Sequence, residues 1–271
     1  MGDPTVVPPA LYVPDGATFV PSIATRGPWS PDAQHGGPVA ALLCRAAEAV
    51  ESAVPLGVSR LTVELLRPAP LTPLTVATRI RRPGKRVQLV EAVLLDGETE
   101  IALATALRIR LADVPLDGAV PPAGETPDGA VVPPPPTEQM TLHVDDRHPW
   151  LDTLGMEVRF ATGSLERPGP STAWFRLRMP LVAGEEPSPA QRAIVAADSG
   201  SGVGAALDLA RYRFLNPEVT VHLARPPEGE WIAVDSGTVL STSGTGIATT
   251  RLWDTRGVVG QAAASLMVEA S

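Results

Sequence analysis

The feature that most constrains this chain is an internal repeat. LTVELLRPAP at residues 61 to 70 aligns without gaps to VTVHLARPPE at 219 to 228. VLLDG (93–97) corresponds to RLWDTRG (251–257), and ALATALRI (102–109) to QAAASLMV (261–268), with the offset staying near 158 residues from Leu61 to Val219. Upstream, GGPVAALL (36–43) matches SGVGAALD (201–208). One structural unit is therefore written twice, and any fold must accommodate two copies of it.

Each copy predicts the same order of elements. A glycine-led helix of small residues comes first, over Gly37 to Val54 and again over Gly202 to Tyr212. In the first copy, strands follow at Ser59 to Leu66, Leu74 to Arg81, Val87 to Leu95 and Glu98 to Arg110. The alternation in RLTVELL and VTVHLAR gives one inward and one outward face, as in an antiparallel sheet covered on one side. A single helix followed by hairpin-linked strands, without βαβ alternation, points to the α+β class. The helix around Val39 to Ala49 is apolar on nearly every side, so something must enclose it. A sheet curling round one helix is the simplest arrangement.

Thirty prolines are spread unevenly, and DVPLDGAVPPAGETPDGAVVPPPPT, Asp113 to Thr137, concentrates them. Such a segment suits neither a helix nor a central strand and reads as an extended connector. The expected division is a first domain at 1–112, a proline-rich linker at 113–140 and a second domain at 141–271.

Composition narrows the function. The net charge of −8 argues against a nucleic-acid partner, which requires a basic surface. A 44% hydrophobic fraction with 19% charged residues is ordinary for a globular chain, and no apolar run reaches membrane-spanning length. The first residues, MGDPTVVPPALYVPDG, lack a basic segment followed by an apolar core, so the expected location is cytoplasmic. The basic cluster RIRRPGKR (79–86) reads as a solvated strand end and turn, or as a seat for an anionic group. Cys44, among Leu42, Leu43, Ala46 and Ala47, reads as a buried structural thiol.

Several catalytic classes lack their residues. No G-x-S-x-G is present, so a serine-hydrolase elbow is not expected. GSGVG at 200–204 is short of a dinucleotide fingerprint and follows no βαβ unit. His35, His143, His148 and His222 form no zinc motif, and HVDDRH at 143–148 reads as a polar loop. No metal or cofactor is expected.

What remains is the pair of glycine-led helix starts. The first N–H groups of a helix have no partner within it, and glycine lets a ligand approach the backbone. Such a place favours developing negative charge, although the same glycines could serve close packing alone. In VAADSGSGVGAALD, Asp198 follows an apolar run and precedes the second glycine cluster. It could cap a helix, or it could orient and deprotonate a water.

With these residues in place, HGGPVAALLCRA in the first half and AADSGSG and NPEVTVHLARPPEGEW in the second resemble the double hotdog acyl-CoA thioesterases of the thioesterase II type. The likeness runs from about Phe19 to Val268, apart from the linker. It implies a double hotdog, two antiparallel sheets each wrapping a central helix. It also implies that an aspartate, a threonine or similar polar residue and a glutamine hold the attacking water. The aspartate falls on Asp198 and the second position on Asn216. The glutamine's place falls at Ala264 or Ser265, with Gln261 three or four residues away. The family glycine that offers an N–H to the thioester oxygen corresponds to Gly37. His35, Gly36 and Ser265 are expected to border the substrate.

The expected activity is hydrolysis of an acyl-CoA to free acid and CoA by a water that Asp198 activates at the junction of the two units. The alternative is a non-catalytic acyl-thioester binder, or a hotdog recruited to another biosynthetic step. A hydratase of the same fold lacks its Asp-and-His signature here. The expected partner is the acyl thioester, with no membrane and a possible homo-oligomer.

Overall fold

The computed structural model describes residues 7–115, 151–208 and 211–270. Most of the proline-rich linker and all of HVDDRH lie outside them. A short hairpin, β1 (Tyr12–Asp15) and β2 (Thr18–Pro21), leads into a 3-10 turn at Ile23–Thr25 and then into helix α1 (Gly36–Glu48). Strands β3 (Leu56–Leu65), β4 (Thr75–Arg82), β5 (Val87–Asp96) and β6 (Thr99–Arg110) complete the first half. All four fall close to the stretches that alternation marks out.

The second half opens with a π-helical turn at Leu151–Gly155, followed by β7 (Met156–Ser164) and β8 (Arg167–Leu177). Helix α2 (Pro189–Ala197) and the four-residue α3 (Gly200–Val203) come next. Strands β9 (Tyr212–Leu215), β10 (Glu218–Leu223), β11 (Ile232–Leu240), β12 (Thr245–Asp254) and β13 (Gly257–Ala270) finish the chain.

The second helix is not where the glycine match puts it. It begins at Pro189, with the Ser188 hydroxyl accepting from the Gln191 N–H at 3.1 Å as its N-cap. Serine before a proline at the first helical position is a strong start signal, and it precedes the glycines rather than following them. Tyr212, expected at a helix end, instead starts a strand.

The sheet also differs from the expectation. Strands β3 to β13 form one continuous antiparallel sheet rather than two, in the order β4-β5-β6-β3-β10-β13-β12-β11-β8-β7, with β9 beside β13. The seam is the β3–β10 pair, where Thr62 lies opposite Thr220. Their hydroxyls are 3.2 Å apart and the residues are 158 apart in sequence, which is the repeat offset itself. A residue therefore meets its own counterpart across the seam. That is the mark of a pseudo-twofold axis, and it spares each half an unpaired sheet edge.

Both helices lie on one face of this sheet. α1 packs against β3 to β6, and α2 against β8, β10, β11 and β12. Every α1 residue from Gly37 through Cys44 is buried, as is Ala47. Burial of side chains such as Val39, Leu42 and Leu43 contributes roughly 2 kcal/mol each. Burial, then the nearby Glu48 carboxylate, holds the Cys44 thiol well above its ordinary pKa, as suits an inert core residue. The basic stretch at 79–86 lies on and beside edge strand β4, where Arg79 pairs with Glu91 at 2.6 Å. Charge on an edge strand discourages pairing with another chain. Among the described residues no helix is long and apolar enough to cross a membrane.

Candidate active site

The two helices run antiparallel, so the start of α1 meets the end of α2. Four hydrogen bonds fix the residues leading into α1. The His35 N–H donates to the Thr25 carbonyl at 2.7 Å and the Gln34 N–H to the Ala69 carbonyl at 2.8 Å. The buried Gln34 amide accepts from the Tyr12 hydroxyl at 2.6 Å and donates to the Pro70 carbonyl at 2.6 Å. With its backbone held on both sides, His35 serves as the N-cap of α1, its Nδ1 3.1 Å from the Gly37 nitrogen.

Asp198 closes α2 as its C-cap rather than opening a second glycine helix. Its side chain is 3% exposed, and its two oxygens are divided between two neighbours. Oδ2 lies 3.0 Å from His35 Nδ1, whose side chain is 12% exposed. Oδ1 accepts from the Asn216 amide at 2.7 Å. Asn216 sits in the link between β9 and β10, so three separate elements converge on one carboxylate. Two residues before it, Phe214 receives Trp29 edge-on, with ring centroids 5.8 Å apart, which joins β9 to the loop ahead of His35.

The charges reinforce this geometry. Burial pushes the Asp198 carboxyl up, but His35, the Asn216 amide and the Gly37 N–H together outweigh it, so its pKa lies below the ordinary value. Burial likewise opposes a charged His35, but the adjacent Asp198 and, further off, Asp152 raise its pKa. The protein thus favours an imidazolium–carboxylate pair. His35 Nδ1 has two alternatives: protonated, it donates to Asp198; neutral, it accepts from the Gly37 N–H. Asp152, in the π-helical turn, has its own carboxyl pushed above the ordinary range, mainly by burial.

The two glycines have different reasons for being glycine. A Cβ on Gly36 would stand 2.7 Å from Asp198 Oδ2 and 2.9 Å from a Leu65 methyl. A Cβ on Gly37 would stand 2.6 Å from the Val195 carbonyl of α2. Gly36 makes room for the carboxylate, and Gly37 lets the helices touch. The Gly37 N–H, expected to face a substrate oxygen, instead meets the Asp198 carboxylate, and donates to His35 Nδ1 when the imidazole is neutral.

The structure therefore brings together Asp198, Asn216, His35, Gly36 and Gly37. It does not bring in Ser265. On β13, Ala262, Ala264 and Leu266 are buried towards the helices, while Gln261 and Ser265 are exposed on the other face. The Ser265 N–H donates to Glu218 at 2.7 Å. Of the two positions for the family's glutamine, Ala264 faces inward, and an alanine there offers no amide. A recess of about 460 Å³, lined by Thr220, His222, Asp235, Thr249, Arg251 and Gln261 among others, opens on that outer face, away from Asp198. Trp174 and Trp253 form a separate cluster with Ala233 and do not pack on α1.

His35 is the residue whose importance the sequence understates. It has no histidine counterpart in the second copy, and only the antiparallel helix packing reveals its partner. Asp152 belongs to no motif; its only local signal is an acid inside the apolar run WLDTLGM.

Comparison with known proteins agrees with this architecture. The model of the acyl-CoA thioesterase N-terminal domain matches residues 25–109, and that of the acyl-CoA thioesterase C-terminal domain matches residues 123–268. A protein from Thermobifida fusca described as a thioesterase II is 20% identical over 96% of each chain, with a TM-score of 0.70. A protein with the hot dog fold from Alicyclobacillus acidocaldarius is 16% identical over 96% of each chain, at 0.69. An acyl-CoA thioesterase II from Mycobacterium marinum is 15% identical over 88% of this chain and 90% of its own, at 0.62. At these identities the structures establish the fold, a double hotdog. No curated protein matches the chain.

Proposed function

Since this chain belongs to the acyl-CoA thioesterase family and carries both of that family's domains, we propose that it hydrolyses an acyl-CoA with a water held by Asp198 and Asn216. The family makes the chain a thioester hydrolase; the substrate and the acting groups are the proposal. The observation that carries it is a buried carboxylate kept ionised, with an amide on one oxygen and an imidazole on the other.

A carboxylate has about four acceptor sites, more than His35, Asn216 and the Gly37 N–H fill, so Asp198 retains the capacity to bind a water. Asn216 donates through Nδ2 to Asp198 and keeps its amide oxygen to accept from the same water. The water oxygen adds to the thioester carbon as its proton passes to Asp198; the carbon–sulfur bond then breaks and the departing sulfur takes a proton from the Asp198–His35 pair. Negative charge on the thioester oxygen meets the amino end of α1, whose first residue is Gly36. Gly37 has a positional role in this scheme, because its N–H is already engaged.

The inward Ala264 favours a second reading, an acyl-thioester binder without turnover. A panel of acyl-CoAs of graded chain length, followed by release of free thiol, separates the two. Turnover of at least one member is expected. Saturable binding without thiol release across the panel would establish the second reading instead.

A further inference from the structure

The Leu151–Gly155 turn is a single π-helical turn, a rare element that often accompanies functional sites. It is anchored beside His35. The Leu151 N–H donates to the Arg26 carbonyl at 3.0 Å, and the preceding carbonyl, that of Thr25, receives the His35 N–H at 2.7 Å. One two-residue stretch thus holds both the residue before Asp152 and the backbone of His35. Gly155 closes the turn against the core, where a Cβ would meet side chains of Leu11 and Leu151 at 2.9 Å.

Asp152 is only half-buried as a residue, yet its Oδ1 has no access to solvent and no hydrogen-bond partner among the described residues. An unsatisfied carboxyl oxygen in the interior costs stability and calls for an explanation. The charges coupled to it are those of His35 and Asp198. Glu157, the acid of the following strand β7, is occupied by Arg159 and Arg176 at 2.5 Å each. Arg26 reaches the turn through its backbone carbonyl.

We propose that Asp152 is a second carboxyl group of the site, a positioning residue that acts through the His35–Asp198 pair by setting when His35 holds its proton. The role in hydrolysis rests on the thioesterase reading; the effect on His35 does not. When Asp152 is ionised, its charge adds to that of Asp198 and retains the imidazolium to higher pH. When Asp152 is protonated, Asp198 alone balances His35. The site then carries one proton more than the two-residue pair would, and the proton His35 shares with Asp198 comes off more readily.

The test is the imidazole titration of His35 by NMR in the full chain without substrate, wild type against Asp152→Asn. A His35→Gln variant assigns the signal among the four histidines. The midpoint is expected to fall by about one pH unit in Asp152→Asn, the scale of a charge–charge interaction through the protein interior. The matching limb of the kcat/KM profile for thiol release moves by the same amount. If Asp152→Asn does not fold, Asp152→Ser removes the same charge with less bulk. An unmoved His35 midpoint in a folded variant overturns the inference, whether or not the chain turns over thioesters. A wild type that releases no thiol overturns the thioesterase reading and leaves the titration to decide Asp152.

Discussion

His35 Nδ1 stands 3.0 Å from Asp198 Oδ2, joining the N-cap of one repeat's helix to the C-cap of the other's. Neither half contains the pair. It exists because the pseudo-twofold at Thr62 and Thr220 sets the helices antiparallel, and because two glycines let them approach.

The adjacent glycines should separate activity from stability. In Gly36→Ala the new methyl falls on the Asp198 carboxylate, a side-chain end that can swing aside. Thiol release should drop at least tenfold, with stability falling no further than the displaced His35–Asp198 contact accounts for. In Gly37→Ala the methyl falls on the Val195 carbonyl, which cannot move without moving α2. Here the loss should be in stability, roughly 1–3 kcal/mol by denaturant titration.

The buried ion pair makes stability depend on pH in a defined window. The raised pKa of His35 contributes stability that is complete below its ordinary 6.5 and lost as pH rises through the folded value. The lowered pKa of Asp198 contributes stability present above its ordinary 3.8 and lost as pH falls through the folded value. The gap between wild type and His35→Ala should therefore be widest between those two ordinary values, at roughly 3 kcal/mol. It should narrow on both sides, as urea titrations across pH would record.

Much of this arrangement was legible in the sequence. The ungapped match of LTVELLRPAP to VTVHLARPPE located the strands that meet at the seam, and alternation located β3 to β6. Asp198 stands out from its place after an apolar run and Asn216 follows from the family resemblance, and the two are hydrogen-bonded in the structure. The second helix starts before the glycines that match the first, because Ser188 and Pro189 make a stronger helix start than glycine similarity marks. The fusion of two sheets into one was not legible, because pairing between β3 and β10 is set by tertiary packing and leaves no local pattern. The same holds for His35, whose partner is far away in sequence, and for Asp152, whose burial no periodicity reports.

Gln261 tests how far the family's glutamine can be replaced from nearby. It is exposed on the face opposite the helices, beside the recess that His222 and Arg251 help to line. Gln261→Ala should leave kcat/KM for thiol release within about twofold, since surface substitutions of this kind change energies by a few tenths of a kcal/mol. A large loss would mean that the outer face takes part in the reaction.

The Tyr12–Gln34 hydrogen bond offers a remote handle on the site. Tyr12→Phe leaves the buried Gln34 oxygen without its donor and loosens the segment that carries His35. A destabilisation of about 1–3 kcal/mol is expected by thermal or urea unfolding. A fall in kcat larger than the change in KM would accompany it.

The most direct test of the account is the rate of thiol release by Asp198→Asn on the best acyl-CoA of the panel. This nearly isosteric change keeps the shape of the site but removes the carboxylate that Asn216 and His35 address and that the proposed attack by water requires. A loss in kcat of about a hundredfold or more is expected, with the fold intact by circular dichroism. A folded Asp198→Asn protein that retains kcat within a few-fold of wild type would contradict it.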